Sequence, residues 1–258
     1  MRDPLVSPIH ECYAFDLPVT RTGRIAFTMS RDADKQAAAL AAVAEVRDGM
    51  LVGLGTGSTA AFAITEIGRL CAEGLRIEAV ATSLATEAHA RTAGIPLLEL
   101  GSVATIDLAI DGTDEVDPTL RAIKGAGGAM LREKIVAAAA RRMVVIADGS
   151  KRVAELGAAA LPVEVLPVAR AYVADVLAAV GGLPTLRGGE SNPTLTDQGN
   201  IIFDCRFGPI EAPELLAARL SAIPGVMGHG LFLDEIDAVY LADGGMVERI
   251  ERSAASSP

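Results

Sequence analysis

Residues 111–117 read DGTDEVD, four acids in seven positions directly after the apolar run 106–110. A solvated acidic turn accounts for so much charge, and so does a site in which carboxylates accept hydrogen bonds from the hydroxyls of a polyol. Asp111 and Asp114 stand nearest the strand end and are the candidates for the second use, whereas Glu115 and Asp117 read as solvated or helix-start acids. Calcium fits poorly, because an EF-hand loop needs D-x-[DN]-x-[DN]-G and then a distant Glu.

Three further clusters carry chemistry. Gly55-Thr56-Gly57-Ser58-Thr59 follows a short apolar run and opens a helical pattern. Glycines let the backbone approach an anion, the helix start supplies free N–H groups, and the hydroxyls add donors. A glycine turn with an N-cap is the plainer reading. A dinucleotide site is a sharper rival, since Gly55-x-Gly57-x-x-Ala60 matches its fingerprint. That rival requires an acid at the end of the next strand, which instead reads Val80-Ala81-Thr82-Ser83, with Glu78 near the strand start. The third cluster, Lys124-Gly125-Ala126-Gly127-Gly128, places an ammonium beside a flexible loop and a helix start, a combination suited to an oxyanion. Glu133 follows within the first two turns, where the helix dipole favours a carboxylate. The fourth, Asp148-Gly149-Ser150-Lys151, offers one more cation. Together these groups suggest a small phosphorylated polyol and proton transfer.

The elements that must position these clusters alternate. A first helix over 31–47 starts from Ser30 as N-cap, and strands at 50–54, 77–81, 96–98, 106–110 and 143–147 are interleaved with helices at 84–93 and 128–141 and one that ends at Gly74. Fully apolar strands between helices imply a parallel sheet covered on both faces. Every cluster then falls at the carboxyl edge of that sheet, where ligands of open α/β folds bind. After Lys151 the pattern becomes βαββαβ, with strands at 163–165, 184–186, 200–207 and 226–232 and helices at 168–180 and 213–223, which is ferredoxin-like. The domain expectation is a catalytic α/β unit over 31–157 and 233–250, a smaller α+β unit over 158–232, and a poorly ordered extension over 1–30, in which Met29 is an alternative start. The apolar strand 238–242 is expected to return to the first sheet.

Composition narrows the function classes. At 258 residues with 50% hydrophobic content the chain can build its core without disulfides or metals. A net charge of -10 repels a nucleic-acid backbone, and 3% aromatic content with no Trp gives little surface for base stacking. The three cysteines and three histidines are scattered without metal-ligand spacing. No stretch approaches a membrane span, so a soluble, cytoplasmic protein is expected.

The segments GLGTGSTA, DGTDEVD, KGAGGAMLREKIVA, ADGSKRV, LPVEVLP, TDQGNIIFD and IPGVMGHGLF, in this order, make the chain similar to type A ribose-5-phosphate isomerases across about residues 31–250. The resemblance implies a Rossmann-like α/β domain with a smaller ferredoxin-like domain, no cofactor or metal, a homodimer or homotetramer, and interconversion of ribose 5-phosphate and ribulose 5-phosphate. It also implies that Glu133 is the proton-abstracting base, with substrate held by Thr56, Gly57, Ser58 and Thr59, by Asp111, Gly112, Thr113 and Asp114, by Lys124, Gly125, Ala126 and Gly127, and by Lys151 and Lys35. In the mechanism expected from it, Asp111 moves the ring proton, Glu133 carries the C2 proton to C1 through a cis-enediolate, and Lys124 stabilises the negative oxygen. Ala126 departs from the family's usual glycine, and its methyl disfavours a positive φ there. A sugar-phosphate-binding regulator and a coenzyme A transferase are the rival readings on related folds.

Overall fold

The computed structural model describes residues 30–253; the expectations for the extension, including the alternative start at Met29, concern a segment outside them. Helix α1 (Arg31–Val43) is capped by Ser30, whose hydroxyl accepts from the Ala33 N–H. Strand β1 (Leu51–Leu54), helix α2 (Ser58–Ala72), strand β2 (Glu78–Ala81) and helix α3 (Leu84–Thr92) follow, then β3 (Leu108–Gly112), the two short strands β4 (Glu115–Val116) and β5 (Ala122–Ile123), helix α4 (Met130–Ala139) and β6 (Met143–Asp148). The segment 96–98 contributes a single bridge, Ala79 to Leu97, in place of a strand.

The chain then leaves this sheet and builds β7 (Leu161–Val165), α5 (Arg170–Ala179), β8 (Leu183–Leu186), β9 (Ile201–Arg206), α6 (Pro213–Ser221) and β10 (Val226–His229). These four strands form an antiparallel sheet in the order β10-β7-β9-β8, the ferredoxin-like arrangement. The expected strand 226–232 divides: β11 (Leu231–Phe232) leaves at Gly230 to pair with β5 in a three-stranded sheet, β11-β5-β4. Gly230 has no room for a side chain, because a Cβ would collide with the Lys124 carbonyl.

Strand β12 (Ala238–Asp243) returns to the first sheet parallel to β6, and β13 (Met246–Glu251), which the sequence pattern did not give, closes the edge antiparallel to β12. The six-stranded order is β13-β12-β6-β3-β1-β2. One face is covered by α1 and α2, whose Ala38, Ala39, Ala42, Ile64 and Ile67 pack on Val52, Leu54 and Ile110. The other carries α4, with Met130 and Val136 against Ala109 and Val145. Each such fully buried large aliphatic side chain contributes about 1.5–3 kcal/mol. The third cluster of buried residues unites β7 and β9 with α5 and α6 through Val163, Phe203, Leu177 and Leu220. Because the chain runs from β1 outward to β2 and then crosses back to β3 on the other side of β1, the loops after β1 and β3 part from one another. That divergence opens a crevice at their carboxyl ends.

Candidate active site

The crevice is a cavity of about 280 Å³ into which all four sequence clusters contribute. At one end, α2 begins on Gly57, whose φ of 105° only glycine adopts freely, and no side chain caps the helix. The first-turn N–H groups at Ser58 and Thr59 are therefore available to an anion. Lys35 from α1 and Lys151 line the same end. Lys35 is held 3.0 Å from Asp32, one turn away on its own helix. Three lining residues had no assigned role in the sequence reading: Arg31, Asp148 and Ser150. Arg31 lies four positions before Lys35 on α1, hence on the same helix face, and that spacing was a readable signal. Asp148 accepts from the Ser150 N–H at 3.0 Å. Burial opposes its ionisation, yet the Ser150 hydrogen bonds and the charges of Lys151 and Lys35 keep its carboxyl below the usual range.

The other end is dry. Lys124, 2% exposed, lies 2.9 Å from Asp111 Oδ2 and 3.2 Å from Glu133 Oε2, and its ammonium also donates to the Gly112 carbonyl. Glu133 is in the first turn of α4 and is 4% exposed. Burial first, and then the neighbouring Asp111 charge, push its carboxyl up to about 8, with Lys124 acting in the opposite direction. For Lys124, burial works against the ammonium, but the two carboxylates more than compensate and raise it above the ordinary lysine value. One cation thus faces two acids in a medium of low dielectric, and the cluster carries one uncompensated negative charge when all three groups are ionised.

Asp111 is not among the residues that line the cavity. Its Oδ1 accepts from the backbone N–H groups of Thr56 at 3.0 Å and Gly112 at 2.7 Å, which ties the β1 loop to β3. Gly55 allows this approach, since a Cβ there would collide with the Asp111 carboxylate. The carboxylate expected to carry the ring proton thus contacts Lys124 and two backbone N–H groups. Asp114 does line the cavity, and its Oδ2 accepts from the Ala126 N–H at 2.9 Å. Thr113 lines it too, with its hydroxyl donated to the Glu115 and Ile123 carbonyls.

Two expectations for the acidic run are corrected. Glu115 and Asp117 are each 3% exposed and are not solvated. Glu115 accepts from the Gly157 and Ala159 N–H groups across the chain, and Asp117 accepts from Thr119 and Arg121, closing the turn that follows β4. Ala126 strains nothing: the lysine loop takes its positive φ values at Gly125 and Gly128, and Ala126 is not among the residues in that region.

Thr56 lines the cavity, and its hydroxyl bonds those of Thr82, Ser83 and Thr86. Glu78 is exposed at the start of β2, on the sheet edge opposite the cavity, so nothing there holds a ribose diol. Among the described residues no group of three or more His, Cys, Asp or Glu side chains is arranged to hold a metal ion.

Residues 78–245 match the family model of ribose 5-phosphate isomerase A (phosphoriboisomerase A). A ribose-5-phosphate isomerase A from Sphingopyxis alaskensis is 52% identical over 223 residues, covering 86% of this chain and 98% of that protein. Among solved structures, a D-ribose-5-phosphate isomerase in complex with phospho-erythronic acid superposes with a TM-score of 0.84 at 37% identity, covering 87% of this chain and 100% of that one. Ribose 5-phosphate isomerase A from Methanocaldococcus jannaschii gives 0.81 at 39% identity, over 86% and 100% of the two chains. With a dry acid–lysine centre at one end of the cavity, an uncapped helix start at the other, and likeness of this extent, the chain belongs to the ribose 5-phosphate isomerase A family.

Proposed function

We propose that the protein interconverts D-ribose 5-phosphate and D-ribulose 5-phosphate, with Glu133 as the base. The observation that carries this reading is the placement of the Glu133 carboxylate 3.2 Å from a buried lysine, in a cavity whose far end is a bare helix N-terminus flanked by cations. Phosphate sits on the N–H groups at Ser58 and Thr59, with Lys35, Lys151 and Arg31 around it. The sugar then runs across Gly112, Thr113 and Asp114 toward the lysine loop, Gly125, Ala126 and Gly127. The phospho-erythronic acid held by the structural relative pairs a phosphate with a carboxylate, in keeping with a site that binds negative charge at both ends.

Asp114, facing the cavity, moves the ring proton as the furanose opens. Glu133 next removes the C2 proton of the aldehyde and returns it to C1 through a cis-enediolate. The negative oxygen that develops lies against Lys124 and the free N–H groups of its loop. A positioned base contributes about 10²–10⁴-fold, and an oxyanion donor about 2.7–4 kcal/mol. Asp111 acts through Lys124, holding its ammonium in place.

The test is formation of ribulose 5-phosphate from ribose 5-phosphate by purified protein, with and without a chelator; turnover unaffected by the chelator is expected, and absence of turnover overturns the reading. Ribose without phosphate should react poorly, because remote binding energy is lost. Assembly as a homodimer or homotetramer and a cytoplasmic location belong to the same proposal, and sedimentation of the pure protein tests the first.

A further inference from the structure

The lysine loop is gripped from outside the parallel sheet. Arg187 follows β8 of the antiparallel sheet, and its backbone is fixed by the Arg187 N–H donating to Ile202 and by the Thr194 N–H donating back to it. Its guanidinium forms a two-pronged pair with Asp204 on β9. The remaining nitrogen, Nη1, donates to the carbonyls of Gly125 at 3.3 Å and Ala126 at 3.1 Å. Beside it lies a second cavity of about 240 Å³, bordered by Arg187, Thr194 and Leu195, which shares Thr56, Ala126 and Gly127 with the first.

A trans peptide points its C=O and N–H in opposite directions. With both carbonyls turned to Arg187, the N–H groups of Ala126 and Gly127 must face the other way. The first does so observably, donating to Asp114 at 2.9 Å on the cavity wall. The second belongs to a residue that also lines the active-site cavity, and among the described residues it has no protein acceptor.

We propose that Arg187 is a positioning residue for isomerisation: by holding the Gly125 and Ala126 carbonyls it aims the Gly127 N–H at the oxygen that becomes negative in the enediolate. Asp204 fixes the guanidinium in the plane that lets Nη1 reach both carbonyls. Arginine suits the task because its planar fork serves the carboxylate and the loop at once, which a lysine point charge cannot. The proposal rests on the isomerase reading above. Turnover by the unaltered protein tests that reading, and the ratio of variant to unaltered protein tests this one.

Arg187→Ala should lower kcat about 10- to 100-fold, short of complete loss of an oxyanion donor, while KM for ribose 5-phosphate changes by less than about threefold. Affinity for phospho-erythronic acid should fall by the same factor as kcat, as expected of a group that acts on developing charge. Guanidinium added to the Ala variant should restore part of the rate by entering the vacated space, and Leu195→Ala, on the rim of the same cavity, should leave kcat unchanged. Arg187→Lys and Asp204→Asn, which disturb folding less, should show smaller losses with the same split. A kcat within twofold of the unaltered protein for Arg187→Ala, or a loss expressed wholly in KM, overturns the proposal; should that variant fail to fold, the same outcomes for Arg187→Lys decide it.

Discussion

The cavity has two ends that handle negative charge with the same side-chain types in opposite surroundings. At the Lys124 end, ammonium and carboxylates are 2–4% exposed, and the ammonium lies within 3.2 Å of each carboxylate. At the helix end, Ser58 and Arg31 are exposed and Lys35 and Lys151 half-buried, so their charges remain in contact with water. Coulombic interaction strengthens severalfold as the effective dielectric falls, and salt screens wet charges far more than buried ones. The buried Lys124 end is therefore where the Glu133 carboxyl is pushed up, whereas the cations at the helix end hold their charge in contact with water. Chemistry and anchoring separate by depth within a single pocket.

That separation can be broken most forcefully at Glu133. Glu133→Gln should reduce kcat about 10³-fold or more with little change in KM. It should also stabilise the fold. The folded carboxyl is raised above its unfolded value of 4.5 to about 8, so between those pH values the native state holds a proton that the unfolded state has lost, and native stability falls as pH rises. The Gln variant lacks that loss. Its advantage in urea unfolding should grow from pH 5 to pH 8, reaching on the order of 2 kcal/mol or more; a constant difference would contradict the raised carboxyl.

Next in size, Lys124→Met should cost about 10²–10³-fold in kcat and, by leaving two facing acids without their cation, about 3–5 kcal/mol of stability. Loss of activity without loss of stability would mean that the ion cluster is not as dry as described. In the unaltered protein, the acid limb of kcat/KM should descend about tenfold per pH unit below about 8, since only ionised Glu133 accepts the proton. A profile flat from pH 6 to pH 9 would count against the assignment. The wet end should yield less. Lys151→Ala should raise KM for ribose 5-phosphate about 3- to 10-fold with kcat nearly unchanged, and raising salt from 0.05 to 0.5 M should shrink that difference. An effect mainly on kcat would erase the distinction between the two ends. Smallest of all, Ala126→Gly should change kcat by less than about twofold, because the methyl sits where φ is already negative.

How much of this was legible beforehand follows from the range of the interactions involved. The alternation of apolar strands and helices and the βαββαβ order are local patterns that read correctly in outline, although 96–98 forms only a bridge and 226–232 divides at Gly230. Strand β13 went unread because its residues are almost all exposed, so MVERIE carries no buried face to betray it. The three-stranded sheet escaped for a different reason: β4, β5 and β11 have two residues each, and Phe232 pairs with Ala122 across more than a hundred positions. Position within the site read well too, since Lys124 and Glu133 lie where strand-edge reasoning put them. The partners of the acids did not. Glu115 is satisfied by backbone at 157 and 159, Asp117 by a guanidinium four residues on, and Asp111 by a loop from another strand. A sequence shows how much charge a segment carries, but desolvation depends on what folds over it.

The chain quits the six-stranded sheet after Asp148 and rejoins it at Ala238, so the antiparallel unit is tethered at both ends, and β11 stitches it to β5 at a third point. Any swing of this unit would have to bend both connections together and part the β11–β5 ladder. The outline of the crevice should therefore change little between the free and the sugar-bound protein.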